Sequence, residues 1–209
     1  NIFYLHGAKA RIELGKHQIQ GVDLAYTVRG ELIGMNSSTL NARRDIGSDG
    51  NVAHVSSYQG YSGAEAGKYK TTNKYFARDA AGFNLHYFAG DYKAVGNVHE
   101  QEMFAPKIIA NTGAANQITD LYNGTITASA TAIYNKNQQD LSLYAQSQLS
   151  IYSYDMMYRL KEVQVMRSAD VIQSNSWQNA ALIGASAKEQ SAYYSHINYD
   201  MNGNIKQLN

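Results

Sequence analysis

The chain has no cysteine, one proline and one tryptophan in 209 residues. Without cysteine there are no disulfides, thiol nucleophiles or cysteine-ligated metals, and such a chain fits an oxidising exterior. Charge is sparse and balanced, with 18 Lys and Arg against 17 Asp and Glu for a net +1. No global field therefore selects nucleic acid, an anionic membrane or an acidic ligand. No apolar run approaches the roughly 18 residues of a membrane-spanning helix, and no basic-then-apolar leader is seen. The chain opens on Asn1 rather than Met, so the natural start is expected upstream. The G-x-S-x-G elbow, the Walker loop and G-x-G-x-x-G are all missing, which removes the common signatures of acyl and phosphoryl transfer.

What the sequence has in excess is tyrosine: 17, against 5 phenylalanines, with 17 glycines and only 17% charged residues. A tyrosine ring is apolar while its hydroxyl wants water or a partner, so many tyrosines suit sheets whose faces stay partly wet. Mean hydropathy of -0.43 points the same way. Tyr, Gly, Asn, Ser and Thr are indifferent or poor helix formers. An all-β chain is expected.

Short apolar or aromatic runs alternate with Gly, Asn and Asp, the pattern of hairpins in series rather than of βαβ units. Asn1 to Leu5, the turn His6-Gly7 and the alternating Ala10 to Leu14 read as strand, turn, strand. A second hairpin is expected from Gln18 to Val28, with a turn at Arg29-Gly30 and a return from Leu32 to Met35. Residues 36–75 carry little periodic apolar signal and read as a long loop or insertion. Strand texture returns at Phe83 to Phe88, Gln117 to Ile133, Leu141 to Tyr154 and Arg159 to Met166, and Ala180 to Gln190 fits a short helix.

Three stretches share one spacing: Tyr26 to Leu32, Tyr154 to Leu160 and Tyr199 to Ile205. Their common form is Tyr-Asp-x-x-Gly-x-Leu/Ile, with Thr27 in place of Asp in the first and Tyr158 in place of Gly in the second. The tyrosine closes an incoming strand, the aspartate hydrogen-bonds amides two residues on, and glycine takes positive φ without steric cost. Asn202-Gly203 is the strongest two-residue hairpin signal in the chain. With Tyr158 where glycine is wanted, the second turn is expected to be made another way. The structural turn residues are accordingly Tyr26, Gly30, Tyr154, Asp155, Tyr199, Asp200, Gly203 and Asn204.

This spacing resembles the YD repeat of the RHS family. Tyr4-Leu5-His6-Gly7 with Ala10 to Gly15, Val22 to Thr27, Gly82 to Phe88 and Leu121 to Ile126 also resemble RHS proteins of the Bacteroidetes type. His6-Gly7 departs from the family's His-Gly-Pro form. The resemblance implies a spiral shell of β-hairpins, one sheet thick, spanning 1–209 as one segment of a larger secreted or cell-surface protein. Such shells commonly enclose a C-terminal toxin delivered to competing bacteria. The implied partners are the remainder of the shell, the enclosed cargo and a secretion apparatus or carrier, with no nucleic acid and no direct membrane span. The family's cargo-releasing proline-containing aspartate motif is absent, the lone Pro106 having no Asp before it. Tyr199 to Leu208 reads as the middle of a repeat array, so the natural protein is expected to continue beyond Asn209.

Chemistry-bearing patterns are few. The histidines are His6, His17, His54, His86, His99 and His196. His99-Glu100-Gln101-Glu102 lacks the second histidine of a zincin. Asp45 to Asn51 has the acids and glycine of a calcium loop, but its first acids are four apart and it lacks the glutamate at the twelfth position. No catalytic, metal or cofactor residue is expected, and the chain reads as a non-enzyme. Trp177 reads as a packing anchor, and Asn36-Ser37-Ser38 and Asn123-Gly124-Thr125 as formal glycosylation sequons. Two rival readings are an adhesin or carbohydrate-binding repeat surface, and a β-rich glycoside hydrolase, whose paired carboxylates leave no local spacing.

Overall fold

The computed structural model describes residues 1–16, 19–38, 40, 46–47, 49–50, 73, 75–88, 91–92, 120–134, 145–168, 178–179 and 194–208. Every regular element among them is a β-strand. The strands are β1 (Ile2–Phe3), β2 (Lys9–Leu14), β3 (Gln20–Tyr26), β4 (Leu32–Met35), β5 (Ala81–His86), β6 (Ala128–Tyr134), β7 (Ala145–Tyr154), β8 (Leu160–Ser168), β9 (Gln178–Asn179), β10 (Tyr194–Tyr199) and β11 (Ile205–Leu208). They form one sheet in the order β1-β2-β3-β4-β5-β6-β7-β8-β10-β11, with β9 beside β8. Every strand pair in it is antiparallel, as hairpins in series require.

Of the strand expected from Gln117, the described residues 120–127 are not strand and β6 begins at Ala128. Ahead of it the chain bends at Asn123-Gly124, where Gly124 has φ 84° and the Asn123 carboxamide accepts the Thr125 amide at 3.1 Å. The helix expected at Ala180 to Gln190 lies outside the described residues, as do His17, His54, His99 to Glu102, Pro106 and Trp177.

Directly paired residues share a face. The register runs Asp23 beside Arg11, Gly82 beside Ala132, Asn84 beside Ala130, and Ala130 beside Leu149. One face therefore carries Gly21, Asp23, Ala25, Gly82, Asn84, Ala128, Ala130, Ala132 and Ser147, mostly small or polar and all buried. Small residues on a strand let another backbone approach closely.

The covering backbone comes from the region expected to be loop. Asn36, at φ 54°, leaves β4 and exchanges two bonds with Asp23, its amide to the Asp23 carbonyl and its carboxamide oxygen from the Asp23 amide, both 2.8 Å. Its NH2 donates to the Ala81 carbonyl at 2.9 Å. Ser37 then lies against Gly82, where any Cβ would collide with the Ser37 carbonyl. The Ser147 hydroxyl donates to the Ser38 carbonyl at 2.9 Å, and Leu40 packs on Ala132. The described part of 36–75 is thus a cover over β5, β6 and β7, and the face that tyrosine content suggested would stay wet is closed there. Asn36 of the first sequon is buried. Ala25, Ile33 and Tyr87 form the apolar core, joined by Ile46, Leu85, Phe88, Tyr92 and Ile126.

Candidate functional site

The repeated feature is the bend. At Asp200 the amide donates to the Asn204 carbonyl (2.9 Å), and the Gly203 amide donates back to the Asp200 carbonyl (3.1 Å). One carboxylate oxygen of Asp200 accepts the amides of Asn202 and Asn204, at 2.9 and 2.8 Å, and the other accepts the Asn204 NH2 at 3.0 Å. Gly203 has φ 87°, and Tyr199 pairs with Ile205 across a register shift. Together these make a three-residue hairpin loop closed by a bulge residue in the left-handed region. Asn202-Gly203 is therefore not the two-residue hairpin that the dipeptide suggested. The Asp200 carboxylate holds two amides, and only Gly203 of the dipeptide takes positive φ.

The same frame recurs at Asp155, whose amide donates to Arg159 (2.9 Å) and whose carbonyl accepts from Tyr158 (3.0 Å). Its carboxylate accepts the Met157 and Arg159 amides, each at 2.9 Å, and the Arg159 guanidinium at 2.7 Å. The expectation of a different turn at Tyr158 is overturned: Tyr158 itself takes the glycine position with φ 59°. The net of bonds from Asp155 holds it there. In the first copy the Thr27 hydroxyl replaces the carboxylate and accepts the Glu31 amide at 3.1 Å, with Gly30 at φ 87° and its amide on the Thr27 carbonyl at 2.9 Å.

The hairpin expected at His6-Gly7 is present, and it is a fourth copy of the frame, which the shared spacing had not included. Tyr4 donates to the Ala8 carbonyl and accepts from Gly7, at 2.8 and 2.9 Å, Gly7 has φ 94°, and Phe3 pairs with Lys9 across a register shift. An aromatic residue four positions before a glycine, with strands on both sides, was its signal. Because alternate strands run the same way, all four bends fall along one rim. Each exposes an apolar residue at its tip, Leu5, Val28, Met156 and Met201.

Hydrogen bonds to the charged form hold both bend aspartates below the ordinary carboxylate range. For Asp155 the Arg159 amide is the main cause, and for Asp200 the Asn204 side chain. The tyrosines reach outward: the Tyr154 hydroxyl donates to the Ile126 carbonyl at 2.6 Å and that of Tyr199 to the Leu160 carbonyl at 2.8 Å. The Arg159 guanidinium lies 4.3 Å from the Tyr199 ring centroid, while Tyr26 meets Tyr4 edge to face at 6.4 Å.

The described carboxylates that converge do so on Arg11. Its guanidinium pairs with Asp23, with Asp49 at 2.7 Å and with Glu13 at 3.6 Å, and lies 4.5 Å from the Phe76 ring centroid. Glycine makes the room, since a Cβ at Gly21 would strike Arg11 and Asp49, and one at Gly47 would strike Asp23 and Arg11. Burial pushes Asp23 and Asp49 above the ordinary carboxylate range against the pull of Arg11. Asp49 and Gly47, from the stretch compared with a calcium loop, thus fasten that stretch to β2 and β3. Asn84 and His86 are also buried, joined at 2.6 Å between the Asn84 amide nitrogen and the His86 Nε2. Among the described residues no group of three or more His, Asp or Glu is placed to hold a metal ion, and no helix is long and apolar enough to cross a membrane.

Comparison with family models, curated proteins and solved structures finds no match to this chain.

Proposed function

We propose that this chain is a non-enzymatic structural segment of a large secreted RHS-repeat protein, part of a hollow β-shell that encapsulates or presents a C-terminal toxin or effector in competition between bacteria. The observation that carries the reading is the fourfold bend, one hydrogen-bonded frame repeated at Tyr4, Thr27, Asp155 and Asp200 along a single antiparallel sheet. A repeated unit that adds two strands at a time extends a wall. The apolar rim suits an edge that meets another part of the same wall. The converging carboxylates are spent on Arg11, an arrangement that holds backbone in place.

The test is limited proteolysis of the full-length protein. The polypeptide at its C-terminal end is expected to resist cleavage inside the shell and to be cut rapidly once expressed alone. Equal rates in the two settings would remove the container reading, and glycan binding by the isolated segment would favour an adhesin instead.

A further inference from the structure

Within a hairpin the bend dictates which residues pair. Between hairpins the chain passes through residues 36–80, 135–144 and 169–193, connections too long for turn geometry to choose a register. At the β6–β7 seam side-chain packing chooses weakly as well. Across the β6–β7 seam the inward residues of β6 are Ala128, Ala130 and Ala132, so a slip of two residues presents an alanine again. A slip of one would turn each side chain to the other face, but a slip of two keeps the faces and, of the contacts described on this seam, loses the Ser147 bond to the Ser38 carbonyl.

We propose that three tyrosine hydroxyls, on Tyr87, Tyr154 and Tyr199, set the register between successive hairpins. Tyr87 donates to the Leu32 carbonyl at 3.1 Å, Tyr154 to Ile126 at 2.6 Å and Tyr199 to Leu160 at 2.8 Å. The three acceptors are equivalent, each lying at the foot of the strand that returns from the preceding bend. The offset is also the same. Continuing the pairs Gly34 with Asn84, Ala128 with Ile151 and Glu162 with His196 sets His86 opposite Leu32, Ser153 opposite Ile126 and Asn198 opposite Leu160. Each tyrosine is the next residue along. These are the β4–β5, β6–β7 and β8–β10 seams, three of the four without a tight turn.

A fourth long connection, 87–127, uses a different hydroxyl to the same end. Thr127 donates to the carbonyls of His86 and Tyr87 at 3.0 and 3.2 Å, and its amide to His86 at 2.7 Å. Burial raises the Tyr87 and Tyr154 hydroxyls above the ordinary tyrosine range, which keeps these donors protonated. A hydroxyl on a rigid ring reaches one carbonyl in one register, and a slip of two residues moves that carbonyl by about 7 Å. The inference goes beyond the shell reading and stands whether or not the sheet encloses anything.

The absence of cysteine makes the register directly measurable. In one set, Ser195→Cys is combined with Val163→Cys, its partner in the β8–β10 ladder, or with Lys161→Cys or Val165→Cys, two residues out. The full chain is equilibrated in a glutathione redox buffer, with and without Tyr199→Phe, and cross-link yields are compared. The out-of-register fraction is expected to rise about fivefold on Tyr199→Phe, the factor carried by one hydrogen bond of ordinary net strength. A second set pairs Thr131→Cys with Gln148→Cys, its β6–β7 partner, or with Gln146→Cys or Ser150→Cys. Here Tyr154→Phe is expected to shift the yields. Tyr152→Phe is expected to leave them unchanged, because its hydroxyl meets the Ser129 side chain at 2.8 Å and a slip of two residues would offer it the hydroxyl of Thr127 or Thr131 instead. Unchanged yields on Tyr199→Phe and Tyr154→Phe would overturn the proposal, and so would an equal shift on Tyr152→Phe.

Discussion

Tyr158 and Gly203 occupy the same place in the same bend, one at φ 59° and the other at 87°, and their substitutions should move stability in opposite directions. A non-glycine residue in the left-handed region costs about 1–2 kcal/mol, and glycine in the unfolded chain costs about 0.5–1. Tyr158 is exposed and loses little packing on truncation. Tyr158→Gly should therefore stabilise by up to about 1 kcal/mol, and Gly203→Val should cost about 1–3 kcal/mol. Urea unfolding of the two variants checks the pair. A destabilised Tyr158→Gly would mean that the tyrosine side chain contributes more than its backbone strain costs.

Acid should act on two kinds of aspartate with opposite sign. Asp155 and Asp200 have folded values below the unfolded one, so their contribution is present above the unfolded value near 3.9 and is lost as pH falls through the folded one. Asp23 and Asp49 have folded values above the unfolded one. The folded state holds their protons more tightly, so stability from this pair rises as pH falls through the folded values and is lowest above them. Replacing Asp200 with Ala should flatten the loss of stability below about pH 4. Replacing Asp23 with Asn should flatten the gain on acidification above it. Denaturant midpoints across pH 3–7 give both slopes; an Asp23→Asn profile with an unchanged slope would show that Arg11 balances burial, and a steeper gain on acidification that Arg11 outweighs it.

At the scale of elements, the hairpins were legible because their determinants are local. Tyr26 to Leu32, Tyr154 to Leu160 and Tyr199 to Ile205 carry acceptor, left-handed residue and returning apolar residue within seven positions. The cover was not legible, because its signal is split across the chain. Nothing local to Gly82 announces that Ser37 lies on it, and nothing local to Arg11 announces that Asp23, Asp49, Gly21 and Gly47 close around it. The alanines of β6 read as indifferent strand formers, yet their small size is what lets Leu40 settle on the sheet. Two substitutions test this layer. Gly82→Ala should cost about 1–3 kcal/mol, because the Ser37 backbone must move to admit the methyl group. Arg11→Ala should cost about 3–5 kcal/mol by leaving buried carboxylates without their cation, whereas Arg11→Met with Asp23→Asn and Asp49→Asn should recover much of that loss. Recovery by Arg11→Met alone would mean that the carboxylates are not what the arginine is needed for.

For the molecule as a whole, the contrast between hairpins and seams implies an order of opening. The β7–β8 hairpin is a long ladder, running from Ser147 with Ser168 to Tyr154 with Leu160, and Leu149 is fully buried in it. Among the described residues the β8–β10 seam joins Tyr194, Ser195 and His196 to Gln164, Val163 and Glu162, and the side chains of β10 and β11 are half-buried or exposed. Little apolar area resists separation there, while the Asp200 bend keeps β10 and β11 together after they leave. Cooperative units of this kind open below the global free energy. Native-state hydrogen exchange at rising urea should therefore show β10 and β11 amides merging into one opening reaction, well below that of Leu149 and Ile151. Tyr199→Phe should lower that opening by about 1 kcal/mol, the net worth of one hydrogen bond, and leave the β7–β8 amides unchanged. If β10 and β11 exchange only through global unfolding, the seam is as strong as the hairpins and the sheet behaves as one unit.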